Sequence, residues 1–91
     1  MDIQHNKEER FYVKTAHGEA ELLYDVKDGK VMRIYHTFTP EEDRGKGIAE
    51  NLAEEAFKFA EKNGFKVRPD CPYITHFVEK NPKFQRFITK R

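Results

Sequence analysis

Between positions 40 and 49 the chain reads Pro-Glu-Glu-Asp-Arg-Gly-Lys-Gly-Ile-Ala, so the cations Arg44 and Lys46 alternate with Gly45 and Gly47 ahead of an apolar pair. Those residue types at that spacing suit an anion. Two glycines let the backbone turn tightly and approach a ligand with no Cβ in the way. If a helix starts at the Ile48-Ala49 pair, its first N–H groups and the positive end of its dipole point at the same spot. A diphosphate fits such a place, with Arg44 and Lys46 adding charge pairing.

Other loops with glycines and a lysine fit less well. A P-loop places Ser or Thr after its lysine, and Gly47 follows Lys46 here. A dinucleotide-binding turn wants a glycine where Glu50 stands, in a larger fold than 91 residues allow. The plainer alternative is a glycine turn that merely begins a helix. The apolar strand before it, Pro40, the two cations and the Ile48-Ala49 continuation favour the anion site.

The elements around the loop must hold it in place. Phe11 and Val13, then Ala20, Leu22 and Tyr24, alternate with polar neighbours and predict two strands. Asp28-Gly29 predicts a hairpin turn into a further strand. Over 31–38 that strand carries Met32, Ile34, His36 and Phe38 on one side and Val31, Tyr35 and Thr37 on the other, which predicts a central strand covered on both faces, ended by Pro40. From Gly45 to Asn63 the period becomes helical, with Ile48, Leu52, Ala56 and Phe59 on one face, widened by Ala49, Ala53 and Ala60. Asn63-Gly64 stops the helix, and residues 65–68 predict one more short strand. Asp70-Cys71-Pro72 reads as a second helix start, with Tyr73, Ile74, Phe77 and Val78 as its apolar face. Phe84, Phe87 and Ile88 pack the end of the chain back after Asn81-Pro82. The expectation is an α/β fold: a mixed, mostly antiparallel sheet with a long central helix and a shorter C-terminal one.

Composition bounds the function. Ninety-one residues predict a single domain, 1–91, with a small core. Lys plus Arg number 17 against 16 Asp plus Glu, and the signs alternate along the chain, which argues against a nucleic-acid partner. Lys83, Arg86, Lys90 and Arg91 read as a solvated helix face. The single cysteine, Cys71, rules out an intramolecular disulfide. The polar start and the lack of a long apolar run predict no signal peptide, no membrane span and a cytoplasmic location. His5, His17 and His76 lack companions at ligand spacing, so no metal is expected.

Arg44-Gly45-Lys46-Gly47-Ile48-Ala49 resembles the Gln/Arg-x-x-Gly-x-Gly/Ala pyrophosphate motif of the GCN5-related N-acetyltransferases, with Arg44, Gly47 and Ala49 at the defining positions. His36-Thr37 and Cys71-Pro72-Tyr73 extend the likeness, from about Arg10 to Phe87, to a branch of small acetyltransferase-like proteins. The resemblance implies acetyl-coenzyme A as cofactor and direct acetyl transfer to an amine acceptor; a monomer is expected. A coenzyme-A-binding module with little turnover is the alternative. It further implies a V-shaped opening between the strand ending at Phe38 and the next one. The pantetheine arm would lie there along the backbone of Thr37, Phe38 and Thr39, and the diphosphate on Arg44, Gly45, Lys46, Gly47, Ile48 and Ala49. Two residues stand out for catalysis. Cys71, at a helix start, is a nucleophile, a contact to the cofactor sulfur, or a packed and inert side chain. His36 is a general base or a satisfied core histidine beside Met32 and Ile34. Tyr73 could protonate a departing thiolate or simply pack.

Overall fold

The computed structural model describes residues 1–89. Its strands are β1 (Gln4–Asn6), β2 (Arg10–Thr15), β3 (Gly18–Lys27), β4 (Val31–Phe38) and β5 (Lys66–Pro69), and its helices α1 (Ile48–Asn63) and α2 (Pro72–Lys80). The strands form one sheet in chain order, antiparallel from β1 to β4 and parallel between β4 and β5. A parallel pair needs a crossover, and α1 supplies it. The mixed, mostly antiparallel sheet with one long and one shorter helix is therefore what the chain builds.

The turns follow from residue type. Asp28 at φ 53° and Gly29 at φ 62° both sit in the left-handed region, as a two-residue hairpin needs, and the Lys30 N–H donates to Lys27 O at 3.0 Å. Helix α1 begins after Gly47 rather than at Gly45, because Gly45 and Gly47 have φ of 81° and 79° and cannot join the helical spiral. Cys71 is the residue before α2, and Pro72 holds the first helical position, where its missing N–H removes no bond.

Phe11, Val13, Ala20, Leu22, Tyr24, Met32, Ile34 and Val67 point to one side of the sheet and are buried. They meet Ile48, Leu52, Ala53, Ala56, Phe57 and Ala60 of α1. The alanines let the helix lie close to the sheet. Phe57, not anticipated as a core residue, is 1% exposed and stacks on Phe84 and Phe77 with ring centroids 4.8 and 5.8 Å away. Phe59 is only partly buried. After α2 a 3-10 turn over Pro82–Phe87 brings Phe84 back onto Phe57, and Ile88 bridges Val67 at the outer edge of β5. Lys83 and Arg86 are exposed as expected, with Arg86 paired to Glu61 at 3.0 Å; Lys90 and Arg91 lie outside the described residues. Among the described residues, no helix is long and apolar enough to cross a membrane.

One expectation about β4 is corrected. Leu23 pairs with His36 but Tyr24 pairs with Ile34, so Tyr35 is an extra residue, a β-bulge. The bulge breaks the alternation that would have kept Met32, Ile34, His36 and Phe38 together. Beyond it Thr37 pairs with buried Leu22 on the helix side, while His36 turns to the outer face with Leu23 and is exposed. Tyr35 and Phe38 are 40% and 45% exposed, so β4 is covered on one face, not two. His36 is thus no core histidine.

Candidate functional site

The register of β5 opens the sheet. It pairs with β4 only from Val31 to Ile34, and the Asp70 N–H still donates to Ile34 O at 3.0 Å before the chain turns into α2. Beyond Ile34 the end of β4 runs on through Thr37 and Phe38 paired with β3 alone, its β5 side open. Between it, the loop and α2 lies a cavity of about 440 Å³, within the range of small-molecule sites.

Three elements line it. The end of β4 contributes Thr37, Phe38 and Thr39, and the loop contributes Asp43, Arg44, Gly45 and Gly47. The first turn of α1 contributes Ile48, Ala49 and Glu50. The remaining wall is one face of α2, where Tyr73, His76, Phe77 and Lys80 recur at helical spacing, with Asn81 just beyond.

The start of α1 has no side-chain cap, since its N-cap is Gly47. The first internal bond runs from the Asn51 N–H to Gly47 O at 3.0 Å. The N–H groups of Ile48, Ala49 and Glu50 fall in the first turn and have no partner within the helix. A Cβ built at Gly45 would meet nothing within 4 Å, so the loop backbone is open on that side. Arg44 donates from Nε to Thr39 O at 3.0 Å, which lays its guanidinium along the rim and leaves the terminal nitrogens for a ligand. Uncapped N–H groups, an open glycine backbone and a cation around one cavity are the donor set a diphosphate needs.

Lys46 behaves differently from its expected role. Its ammonium lies 3.2 Å from Oδ1 of Asp43 and it is not on the cavity wall. Asp43 is 1% exposed and also accepts the His17 backbone N–H on Oδ2 at 3.0 Å. His17 Nδ1 is 3.0 Å from Oδ1; an ionised carboxylate only accepts, so Nδ1 carries the proton. The His17 ring, then Thr15 at the end of β2, and more weakly the His17 backbone N–H and Lys46, hold the Asp43 carboxyl well below the usual carboxylate range against the opposing effect of burial.

Cys71 is buried just behind the wall, its Sγ 3.5 Å from Thr37 Oγ1. Tyr73 lies on the wall itself; burial, then Glu50, then Cys71, raise its phenol above its ordinary value, so it stays protonated. His36 is on the other face of the sheet and apart from this cavity. The structure therefore gathers Thr37, Phe38, Thr39, Arg44, Gly45, Gly47, Ile48 and Ala49, sets Cys71 next to them, and turns Lys46 and His36 elsewhere. Sequence reasoning had no site role for Asp43, His17, Glu50, His76, Lys80 or Asn81. The spacing of 73, 76, 77 and 80 along a helix could have pointed to the α2 wall; nothing local links His17 to Asp43. Among the described residues no three His, Cys, Asp or Glu side chains could hold a metal ion.

Comparison with known proteins agrees with this fold. A family model described as GCN5-related N-acetyl-transferase matches residues 10–87. Protein NATD1 of Danio rerio is 35% identical over 85 residues, which are 90% of this chain and 77% of the relative. Protein NATD1 of Homo sapiens is 31% identical over 83 residues, 88% of this chain and 74% of the relative. The NMR structure of a GCN5-like protein from Staphylococcus aureus superposes with a TM-score of 0.78 at 24% identity, covering 97% of this chain and 87% of that one. At that identity the match speaks for the fold.

Proposed function

The chain belongs to the GCN5-related N-acetyltransferase family, and from that premise we propose that it binds acetyl-coenzyme A in the cavity and transfers the acetyl group directly to an amine. The observation that carries this reading is the uncapped start of α1, opening through two left-handed glycines onto a cavity walled by the end of β4 beyond its pairing with β5, with the Cys71 sulfur just behind Thr37. The diphosphate rests on the N–H groups from Gly45 to Ala49 and on Arg44, in a helix-start field worth about 0.3–1 kcal/mol per negative charge at an exposed site. Lys46 takes part indirectly, by neutralising Asp43 beneath the loop. The pantetheine arm follows the backbone of Thr37, Phe38 and Thr39, where β5 no longer occupies the edge of β4.

That path brings the thioester to the region of Thr37, Cys71 and Tyr73. The amine nitrogen attacks the thioester carbonyl carbon, the carbon–sulfur bond breaks, and the amine loses a proton while the thiolate gains one. Tyr73, protonated and on the wall, donates to the departing sulfur. Cys71, buried behind Thr37, contacts the sulfur end of the cofactor rather than meeting the acceptor. His36 is exposed on the outer face of β4, next to the gap where β5 departs, and takes the proton of an amine arriving from that side. The protein is read as a single-domain monomer of the cytoplasm that needs neither metal nor nucleic acid.

The test is titration with acetyl-coenzyme A, followed by amide NMR, with a thiol assay for released coenzyme A in the presence of small and peptidyl amines. Shifts centred on Arg44–Ala49 and Thr37–Thr39 together with amine-dependent thiol release are expected. Binding without release supports the coenzyme-A-binding module instead, and no shifts at millimolar ligand would end both.

A further inference from the structure

We propose that His17, at the tip of the β2–β3 hairpin, is a positioning residue for the anion loop and sets its affinity for a diphosphate through the buried carboxylate of Asp43. The inference rests on the cofactor reading above for its ligand but on separate contacts for its structure.

Asp43 is the one charged side chain buried among the described residues, and it stands one position before Arg44. A buried anion on the wall of a diphosphate site is costly twice, once for lost hydration and once for repulsion of the ligand. It is tolerated because donors surround it: the His17 backbone N–H, His17 Nδ1 and Lys46 Nζ, at 3.0, 3.0 and 3.2 Å. These donors are not equivalent. Lys46 belongs to the loop and moves with it, so its ion pair cannot fix the loop relative to anything else. His17 belongs to the turn that joins β2 to β3, 26 residues earlier in the chain. Its backbone N–H bond would be made by any residue there except proline; the ring bond from Nδ1 is the tie to the hairpin that the histidine side chain adds.

The neighbouring contacts point the same way. Pro40, at the start of the loop, packs so closely on the hairpin that a Cβ at Gly18 would come within 3.2 Å of its Cγ. Between Asp43 and α1 the chain has Gly45 and Gly47, residues with the widest conformational freedom and hence the largest ordering cost. Fixing Asp43 in advance removes part of that cost from the binding step. The His17 ring is 51% exposed, so its contact with Asp43 is not a by-product of core packing.

The decisive comparison uses His17→Ala and His17→Asn, since the Asn side-chain N–H sits the same number of bonds from the backbone as Nδ1. Amide hydrogen exchange across residues 44–49 is measured without ligand, and affinities are measured for acetyl-coenzyme A and for acetyl-pantetheine, which lacks the diphosphate. His17→Ala is expected to speed loop exchange, to weaken acetyl-coenzyme A about tenfold and to leave acetyl-pantetheine unchanged, with His17→Asn restoring most of the loss. Unchanged loop exchange in His17→Ala overturns the proposal. So does an equal loss for both ligands, or a loss that Asn does not rescue. If the wild-type protein binds neither ligand the cofactor reading falls, and the exchange comparison of the ligand-free proteins still decides whether His17 positions the loop.

Discussion

The two ends of α1 are each marked by a glycine in the left-handed region, Gly47 at φ 79° and Gly64 at φ 70°, yet they are finished in opposite ways. At the C-terminal end the chain closes on itself. The Gly64 N–H donates to Glu61 O at 3.2 Å and the Phe65 N–H to Ala60 O at 2.9 Å, so two carbonyls of the last turn are met by the backbone that follows them. At the N-terminal end no side chain caps the helix, and its first-turn N–H groups face a cavity of about 440 Å³. A helix end left open inside a concave site leaves its N–H groups to water or to a ligand, and that is the end on which the proposed diphosphate site rests.

The largest effect that would test this contrast comes from Gly47→Val. A β-branched side chain disfavours φ 79° and puts methyl groups at the mouth of the loop. Loss of the diphosphate contacts is expected to weaken acetyl-coenzyme A by about 100-fold, about 2.7 kcal/mol, measured by calorimetry. If the variant loses stability but keeps its affinity, the glycine only starts a helix and the two ends of α1 are equivalent.

Gly64→Ala is the counterpart, with a smaller effect. A Cβ there meets nothing within 4 Å, so only the backbone strain of φ 70° matters. That strain is about 1 kcal/mol, or about 4–8 °C in Tm for a domain of this size. Acetyl-coenzyme A affinity should not change. A shift in affinity would mean that the C-terminal end of α1 is coupled to the site after all.

The same contrast separates what the sequence made legible from what it did not. Local chemistry was readable: Asp28-Gly29 forms the hairpin expected of it, Pro72 opens α2, and the glycines at 45, 47 and 64 fall where helices start and stop. The lining from Arg44 to Ala49, Lys46 apart, follows from that local reading, whereas that from Thr37 to Thr39 was expected from the family resemblance alone. Non-local features were hidden. The bulge at Tyr35 arises from pairing with β3 and not from the composition of β4, so strict alternation misplaced His36. Strand β1 is three exposed residues whose strand character comes from pairing with β2. Asp43 reads as one more surface acid in Glu-Glu-Asp until folding sets it against His17, and that contact in turn pulls Lys46 from its expected place on the ligand.

Asp43 also gives the smallest expected effect, one confined to acid. Its folded-state affinity for a proton is depressed, first by the His17 hydrogen bond, so its contribution is full above the unfolded carboxyl value of about 3.9. As pH falls below that value the unfolded chain takes up a proton that the folded chain still refuses, and the stabilisation drains away. Asp43→Asn has nothing to titrate at this position. The Tm difference between the wild-type protein and Asp43→Asn should therefore be constant from pH 7 to about 5 and should shrink below about 4. A gap that stays constant down to pH 2 would mean that the carboxylate beneath the loop is not stabilised by its partners. The loop before α1 would then be held by the packing of Pro40 against the hairpin at Gly18 and not by a buried charge.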